Sequence, residues 1–261
     1  MSYRTLLTVL ILSSVIAQAQ RGKTPAMALS LPAQTTLPIV FTKTISAEHS
    51  KIGDLVTART NQSVLLVNGV SIPSGAKVIG HVIEVASFAY DKTPYAHQKQ
   101  SVLSIRFDSL QLEETPLPLN VTVRAMADPI TSWSASVPNV NGMDTSLHTV
   151  TQIGGDQLTR SQTEVVNMQG DVVAYNRHGG VYAHLISNRG CDANSFEVSL
   201  GIYSASACGL YGFTNIIAQE AGSLAHPSTL TLISTRTAPK VWKNSTALLE
   251  VLSDAKSTTI R

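Results

Sequence analysis

The chain is short of charge and of aromatic rings. Only 14% of its residues are Asp, Glu, Lys or Arg, where ordinary domains carry about 25%. Phe, Trp and Tyr together make up 5%, and Trp133 and Trp242 are the two tryptophans. Nineteen basic against 17 acidic residues, with no basic cluster, leave no surface for phosphate backbones, so nucleic acid is not an expected partner. Cysteine is confined to Cys191 and Cys208, which are not spaced as a Cys-x-x-Cys redox or zinc motif. There is no His-Glu-x-x-His, no calcium loop of alternating acids and no Gly-x-Ser-x-Gly elbow. Ile153-Gly-Gly-Asp156 lacks the Lys-Ser/Thr that completes a phosphate cradle. These gaps leave no motif for a cofactor or a metal, and none is expected. After the N-terminus, no apolar stretch approaches the roughly 20 residues of a membrane-spanning helix.

What is present begins with an address. Arg4 precedes an almost unbroken apolar run over 5–17, and Ala17-Gln18-Ala19 has the small-x-small form that signal peptidases cut after. Residues 1–19 are therefore expected to be a signal peptide, and the protein to be exported to the periplasm or beyond. The run is too short for a stable membrane anchor. Loss of Arg4 takes the net charge from +2 to +1. An oxidising compartment predicts a Cys191–Cys208 disulfide, with a stabilisation of about 3 kcal/mol in the chain-entropy model. Sequons at Asn61, Asn120 and Asn244 are no more than this much Ser and Thr produces.

Residues 20–36, rich in Pro, Ala and Thr, read as a flexible leader, and 37–252 as a single β domain with a tail at 253–261. Strands are expected at 39–45, 55–60 and 64–67, the last turning at Asn68-Gly69, the strongest short hairpin signal. Residues 77–86 are apolar on both faces and read as a central strand. In 101–108, Leu103, Ile105 and Phe107 alternate with Ser104, Arg106 and Asp108, which places one set in the core and the other in water. The period continues over 117–123, where Pro118 marks an edge. Further strands are expected at 163–168, 171–175, 181–186, 228–235 and 247–252. Residues 126–162 and 187–222 read as irregular insertions projecting from one end, and the best helix candidate is a short one over 214–221. The fold class is mainly β, barrel-like or sandwich-like and antiparallel.

Lys51-Ile-Gly-Asp54, Ile72-Pro-Ser-Gly-Ala-Lys-Val-Ile-Gly-His-Val82, Ser101-Val-Leu-Ser-Ile-Arg-Phe-Asp108 and Leu117-Pro-Leu119 form a further pattern. It resembles the β-barrel domain of the scaffold proteins that line the outer part of type IV secretion and conjugation channels. The matching residues are Ile72, Pro73, Gly75, Gly80, Ser101, Leu103 and Phe107, within about a third of the exported chain. That family also carries an inner-membrane helix, a long proline-rich span and a membrane-crossing antenna, which have no counterpart here. The resemblance therefore implies a barrel-like envelope module, not the transport function.

Among candidate site residues, His178 and His184 flank Gly179-Gly180 in an expected hairpin with Tyr175 and Tyr182. Opposed arms can share a face, and a carboxylate such as Asp171 would complete a metal site; hydrogen-bonded or solvated histidines are the simpler reading. His81, in an apolar strand, reads as a satisfied core residue. Glu113-Glu114 reads as an exposed loop pair, and nothing marks Glu84 and Asp108 as a glycosidase pair. Trp133 in the irregular segment is a candidate contact residue, and Trp242 beside Val241 a core one. The expected function is contact rather than catalysis, with a protein or envelope component as partner. A sugar-binding or adhesive role requires Trp133 exposed beside aromatic or amide groups. The alternative is a secreted hydrolase whose site is assembled from distant residues.

Overall fold

The computed structural model describes residues 30–253 except 67, 91, 93, 95–97, 114, 139–148, 160–161 and 186–195. Cys191, and with it the Cys191–Cys208 pairing, falls outside the described residues, as do the signal peptide and most of the leader and tail.

The chain enters as β1 (Thr36–Phe41), touches down briefly in β2 (Ile45–Ser46), turns at Gly53 and returns as β3 (Leu55–Thr60). A small hairpin of β4 (Val64–Leu65) and β5 (Ser71–Ile72) turns around Asn68-Gly69, and the long β6 (Lys77–Ala86) and β7 (Ser101–Leu112) follow. β8 (Thr115–Pro118) pairs with β7 alone, which suits a strand whose prolines lack N–H donors. The expected continuous strand over 117–123 breaks at Leu119-Asn120, and β9 (Val121–Ala127) takes a different partner before leading into α1 (Pro129–Ser134).

β10 (Thr149–Thr151), β11 (Gln157–Thr159), β12 (Glu164–Val166), β13 (Val172–Arg177), β14 (Gly180–His184) and β15 (Glu197–Ser199) then form a six-stranded antiparallel meander in sequence order. The remaining strands are β16 (Gly209–Tyr211), β17 (Ile217–Glu220), β18 (Thr229–Ser234), β19 (Lys240–Val241) and β20 (Thr246–Val251). Segments 126–162 and 187–222, expected as irregular, thus supply a helix and strands to both sheets. Their three-residue strands are too short to show a period of two, and pairing with longer neighbours makes them. The helix expected over 214–221 is instead β17, because Ile217 and Ala218 pair with Ile233 and Leu232 of β18.

Nine strands in the order β16-β9-β20-β1-β3-β6-β7-β18-β17 make a nearly closed barrel-like sheet. Leu37, Ile39 and Phe41 of β1, Leu103, Ile105 and Phe107 of β7, Leu230 and Leu232 of β18, and Ala247 and Leu249 of β20 all point inward. Phe41 and Phe107 meet at 6.3 Å between ring centres, so side chains fill the interior. Tight curvature needs bulges. β6 shifts register at Ile79/Gly80, where a Cβ on Gly80 would strike the Arg106 carbonyl of β7.

The seam closes where the β17–β18 turn meets β9. Ser228 N–H donates to the Val121 carbonyl (2.8 Å), and the Ser228 hydroxyl accepts from Val121 N–H (3.0 Å) and donates to the Leu119 carbonyl (2.8 Å). Gly222, at φ +93°, lies so close to β9 that a Cβ would sit 2.8 Å from Thr122 Cα.

The meander packs on the barrel's outer wall. Because strand side chains alternate, Val165, Ala174, Val181, Ala183, Val198 and Leu200 face inward onto Ala125, Ala127 and Leu248 of β9 and β20. Those two barrel strands are buried on both faces, and the small alanines let the second layer approach. Gln62, buried at the end of β3, bolts the layers together: its side chain accepts from Val181 N–H (3.1 Å) and donates to the Val181 carbonyl (3.3 Å) and the Ser199 hydroxyl. No helix among the described residues is long and apolar enough to cross a membrane.

Candidate functional site

Trp133 is placed by a short helix rather than by the irregular loop expected from the sequence. Asp128 caps α1, its carboxylate accepting from Thr131 N–H (2.7 Å), and Pro129 occupies the first turn, where a missing N–H costs nothing. Gly212, at φ +78°, lets the chain after β16 press against this cap, and Asp128 N–H donates to the Tyr211 carbonyl (3.0 Å). The inner side of α1 is tied down through hydroxyls. Ser132 shares a hydrogen bond with Thr246 (2.9 Å), and Thr246 shares one with the buried Tyr203 (2.7 Å). Burial pushes the Tyr203 phenol far above its ordinary range, so it is neutral at any physiological pH. With Ser132 anchored inward, Ile130 and Trp133, three residues apart, point outward at 75% and 65% exposure.

Trp133 forms one wall of a cleft of about 470 Å³ at the junction of barrel and meander. The other walls include Val40 of β1, Asn61 after β3, Ile202 after β15, and Asn244 before β20. Gly201, at φ +63°, allows the meander's return to approach the barrel here; a Cβ on it would stand 2.9 Å from Pro38 and 3.1 Å from the Asn61 amide oxygen. Asn61 N–H donates to the Pro38 carbonyl (3.0 Å), and Asn244 N–H to the Phe41 carbonyl (2.9 Å). Asn244 adopts φ +69°, a conformation asparagine tolerates better than most residues. The Asn61 amide oxygen is buried and has no hydrogen-bond partner among the described residues. Trp133 is therefore exposed in a cleft that Asn61 and Asn244 also line. Ile202 carries no sequence signal, and Asn61 and Asn244 stand out in the sequence only as sequons, because nothing local marks residues that only the packing of two sheets brings together.

The other expected contact residues lie on the β13–β14 hairpin. His178 (φ +54°) and Gly179 (φ +77°) form its turn. Tyr175 is exposed under the Arg177 guanidinium, 5.0 Å from its ring centre, and Arg177 pairs with Glu197. His178, Tyr182 and His184 line an open cleft of about 550 Å³ together with Leu65, Phe196 and Glu197. Tyr182 is buried, its hydroxyl donating to the Ser63 carbonyl (2.9 Å) and accepting from Leu65 N–H (3.2 Å). It holds the β4–β5 hairpin in place. No group of three or more His, Cys, Asp or Glu that could hold a metal occurs among the described residues, so Asp171 does not complete a site with His178 and His184.

His81 faces the barrel exterior, not the core, because Val78, Gly80 and Val82 take the inward positions of β6. Its Nδ1 lies 2.7 Å from the Asp108 carboxylate, which Arg106 also reaches at 3.3 Å. Ser104, expected in water, is buried against Thr231 (2.7 Å). Glu84 and Asp108 make separate contacts, with Ser104 (3.4 Å) and His81 respectively. Trp242 packs on Phe213 with 5.9 Å between ring centres. Asp156 sits beside Gly154 and Gly155, and burial raises its carboxyl pKa while the Ala205 N–H partly offsets the rise. No family model, curated protein or solved structure matches the chain.

Proposed function

We propose that the chain is an exported, non-enzymatic binding module of the cell envelope, and that it makes its contacts at the barrel end that carries Trp133. The observation that supports this is the Trp133 shelf: a large aromatic ring held out from a tethered helix above a cleft. Exposing an indole forfeits burial worth about 2–3 kcal/mol, an arrangement that suits a surface with an occupant. The filled barrel interior leaves the outer surface for contacts. The export address, the Cys191–Cys208 bridge and the kinship to envelope scaffold modules belong to the same proposal, with a protein or envelope component as partner.

The test is site-specific photo-crosslinking in intact cells. A crosslinking residue in place of Trp133 is expected to yield a discrete adduct. The same residue in place of Ile52, exposed at the opposite end of β3, is expected to yield none. Equal labelling from both positions, or none from either, would defeat the proposal.

A secreted hydrolase is the second reading, favoured by the His81–Asp108 pair at 2.7 Å. It predicts ester or glycoside hydrolysis by the purified chain that disappears in His81→Ala. Failure of the unaltered chain to hydrolyse either class sets it aside.

A further inference from the structure

We infer that the Trp133 cleft takes a neutral saccharide, with one pyranose ring laid on the indole and its hydroxyls met by the Asn244 amide. The inference rests on the binding reading above and supplies its ligand.

The lining decides the charge of the occupant. Val40, Asn61, Ser136, Ile202, Asn244 and Trp133 are all uncharged, as are the cleft's remaining walls. A phosphate, a uronate or an ammonium group would surrender its hydration here without an ionic partner, a loss of several kcal/mol. The clefts beside Glu84 and Glu220 and beside His184 and Glu197 carry such groups; this one does not. At about 470 Å³ it falls in the range of small-ligand sites, roughly 300–1,000 Å³.

The hydrogen-bonding groups decide its chemistry. Ser132 and Thr246 are consumed by their chain to Tyr203, so they hold the wall rather than the ligand. Ser136 donates to the Ser132 carbonyl (2.7 Å). The Asn61 side chain is positioned by packing against Gly201, with its oxygen unpartnered among the described residues. Asn244 is exposed on a turn whose backbone is already satisfied. The Asn244 amide offers a donor and an acceptor, and a partner that both gives and takes hydrogen bonds matches it. Sugar hydroxyls do both, and the C–H face of a pyranose covers an aromatic plane. A proline-rich peptide also stacks on tryptophan, but its proline residues offer carbonyl acceptors only.

The experiment uses the purified full chain, titrated calorimetrically and by tryptophan fluorescence with tetrasaccharides of glucose, mannose, galactose and N-acetylglucosamine. A tetragalacturonate and a proline-rich decapeptide are included for comparison. At least one neutral sugar is expected to bind, and the uronate not to. Trp133→Ala should weaken binding tenfold or more, as truncation of an aromatic anchor does. Asn244→Gly, which keeps the positive φ and removes the amide, should weaken it about threefold to tenfold. Both positions are exposed, and unchanged thermal unfolding confirms that the variants fold. Preference for the peptide or the uronate, sugar binding indifferent to Trp133→Ala, or no sugar bound would overturn the inference. If an adduct still forms from position 133 in cells, the ligand class alone is wrong; if it too is absent, the binding reading falls with it.

Discussion

Ser228 is the place where the barrel's closure can be measured. Its residue is 4% exposed, and its hydroxyl serves two backbone groups at once, Val121 N–H at 3.0 Å and the Leu119 carbonyl at 2.8 Å. Ser228→Ala removes one oxygen, opens almost no void, and strands both groups where water cannot reach them. Each stranded group costs about 1–3 kcal/mol, and some relaxation at the seam brings the total to about 2–4 kcal/mol. The backbone supplies a second, opposite effect. Ser228 sits at φ +60°, which costs a non-glycine residue about 1 kcal/mol or more. Ser228→Gly loses the same hydrogen bonds but escapes that strain, offset in part by glycine's extra freedom in the unfolded chain. It should therefore be less destabilised than Ser228→Ala, by up to about 1 kcal/mol. Equilibrium urea unfolding measures both variants, with an unchanged slope showing that the same surface is exposed. Hydrogen exchange at Val121 should accelerate in each. A Ser228→Ala variant within about 0.5 kcal/mol of the parent, or a glycine variant less stable than the alanine one, would refute the reasoning.

Three further outcomes follow from the same geometry. Gln62→Ala leaves Val181 N–H without its partner between the two layers, while the Val181 carbonyl keeps the Leu200 N–H (2.7 Å), and should destabilise by about 1–3 kcal/mol, with exchange rising at Val181 before the barrel strands; uniform exchange would show the layers do not uncouple there. Gly222→Ala forces a Cβ against the backbone of β9 at a positive φ and should lower stability by about 2 kcal/mol or more, read by thermal unfolding. Burial raises the Asp156 pKa in the folded state, so the folded protein binds more protons than the unfolded one and stability falls as pH rises. That penalty is absent below the unfolded carboxylate pKa and complete above the folded one. Asp156→Asn, which keeps an acceptor for Ala205 N–H, should flatten this part of a plot of unfolding temperature against pH; an unchanged slope would mean that Asp156 does not titrate abnormally.

Legibility tracked the length and partner of each strand. The spans of β3 and β6 were readable to the residue, and the inward row Leu103, Ile105 and Phe107 followed from alternation alone. The edge position of β8 followed from Pro118. β17 lacks a strand signal because Ile216-Ile217-Ala218 carries no alternation, and β10 and β11 lack one because three residues with a single apolar side chain at the centre cannot display a period. His81 was misassigned for a different reason. Its strand is apolar on both faces, so only the bulge at Ile79/Gly80 and the barrel's curvature decide which residues turn outward. Of the Trp133 cleft, the tryptophan was visible and the amides were not.

The sequence by itself determined a mainly β chain, because alternation, β-branched residues and Asn-Gly or Pro-x-Gly turns act over a few neighbours and need nothing distant to be read. Tertiary structure alone decided that the strands close through Ser228 and Gly222 and that a second layer docks through Gln62 onto small alanines. It also decided that Asn61, Trp133, Ile202 and Asn244 meet in one cleft. Those contacts join residues far apart in the chain. Their energies depend on which backbone groups are left buried without water, and no local pattern records that.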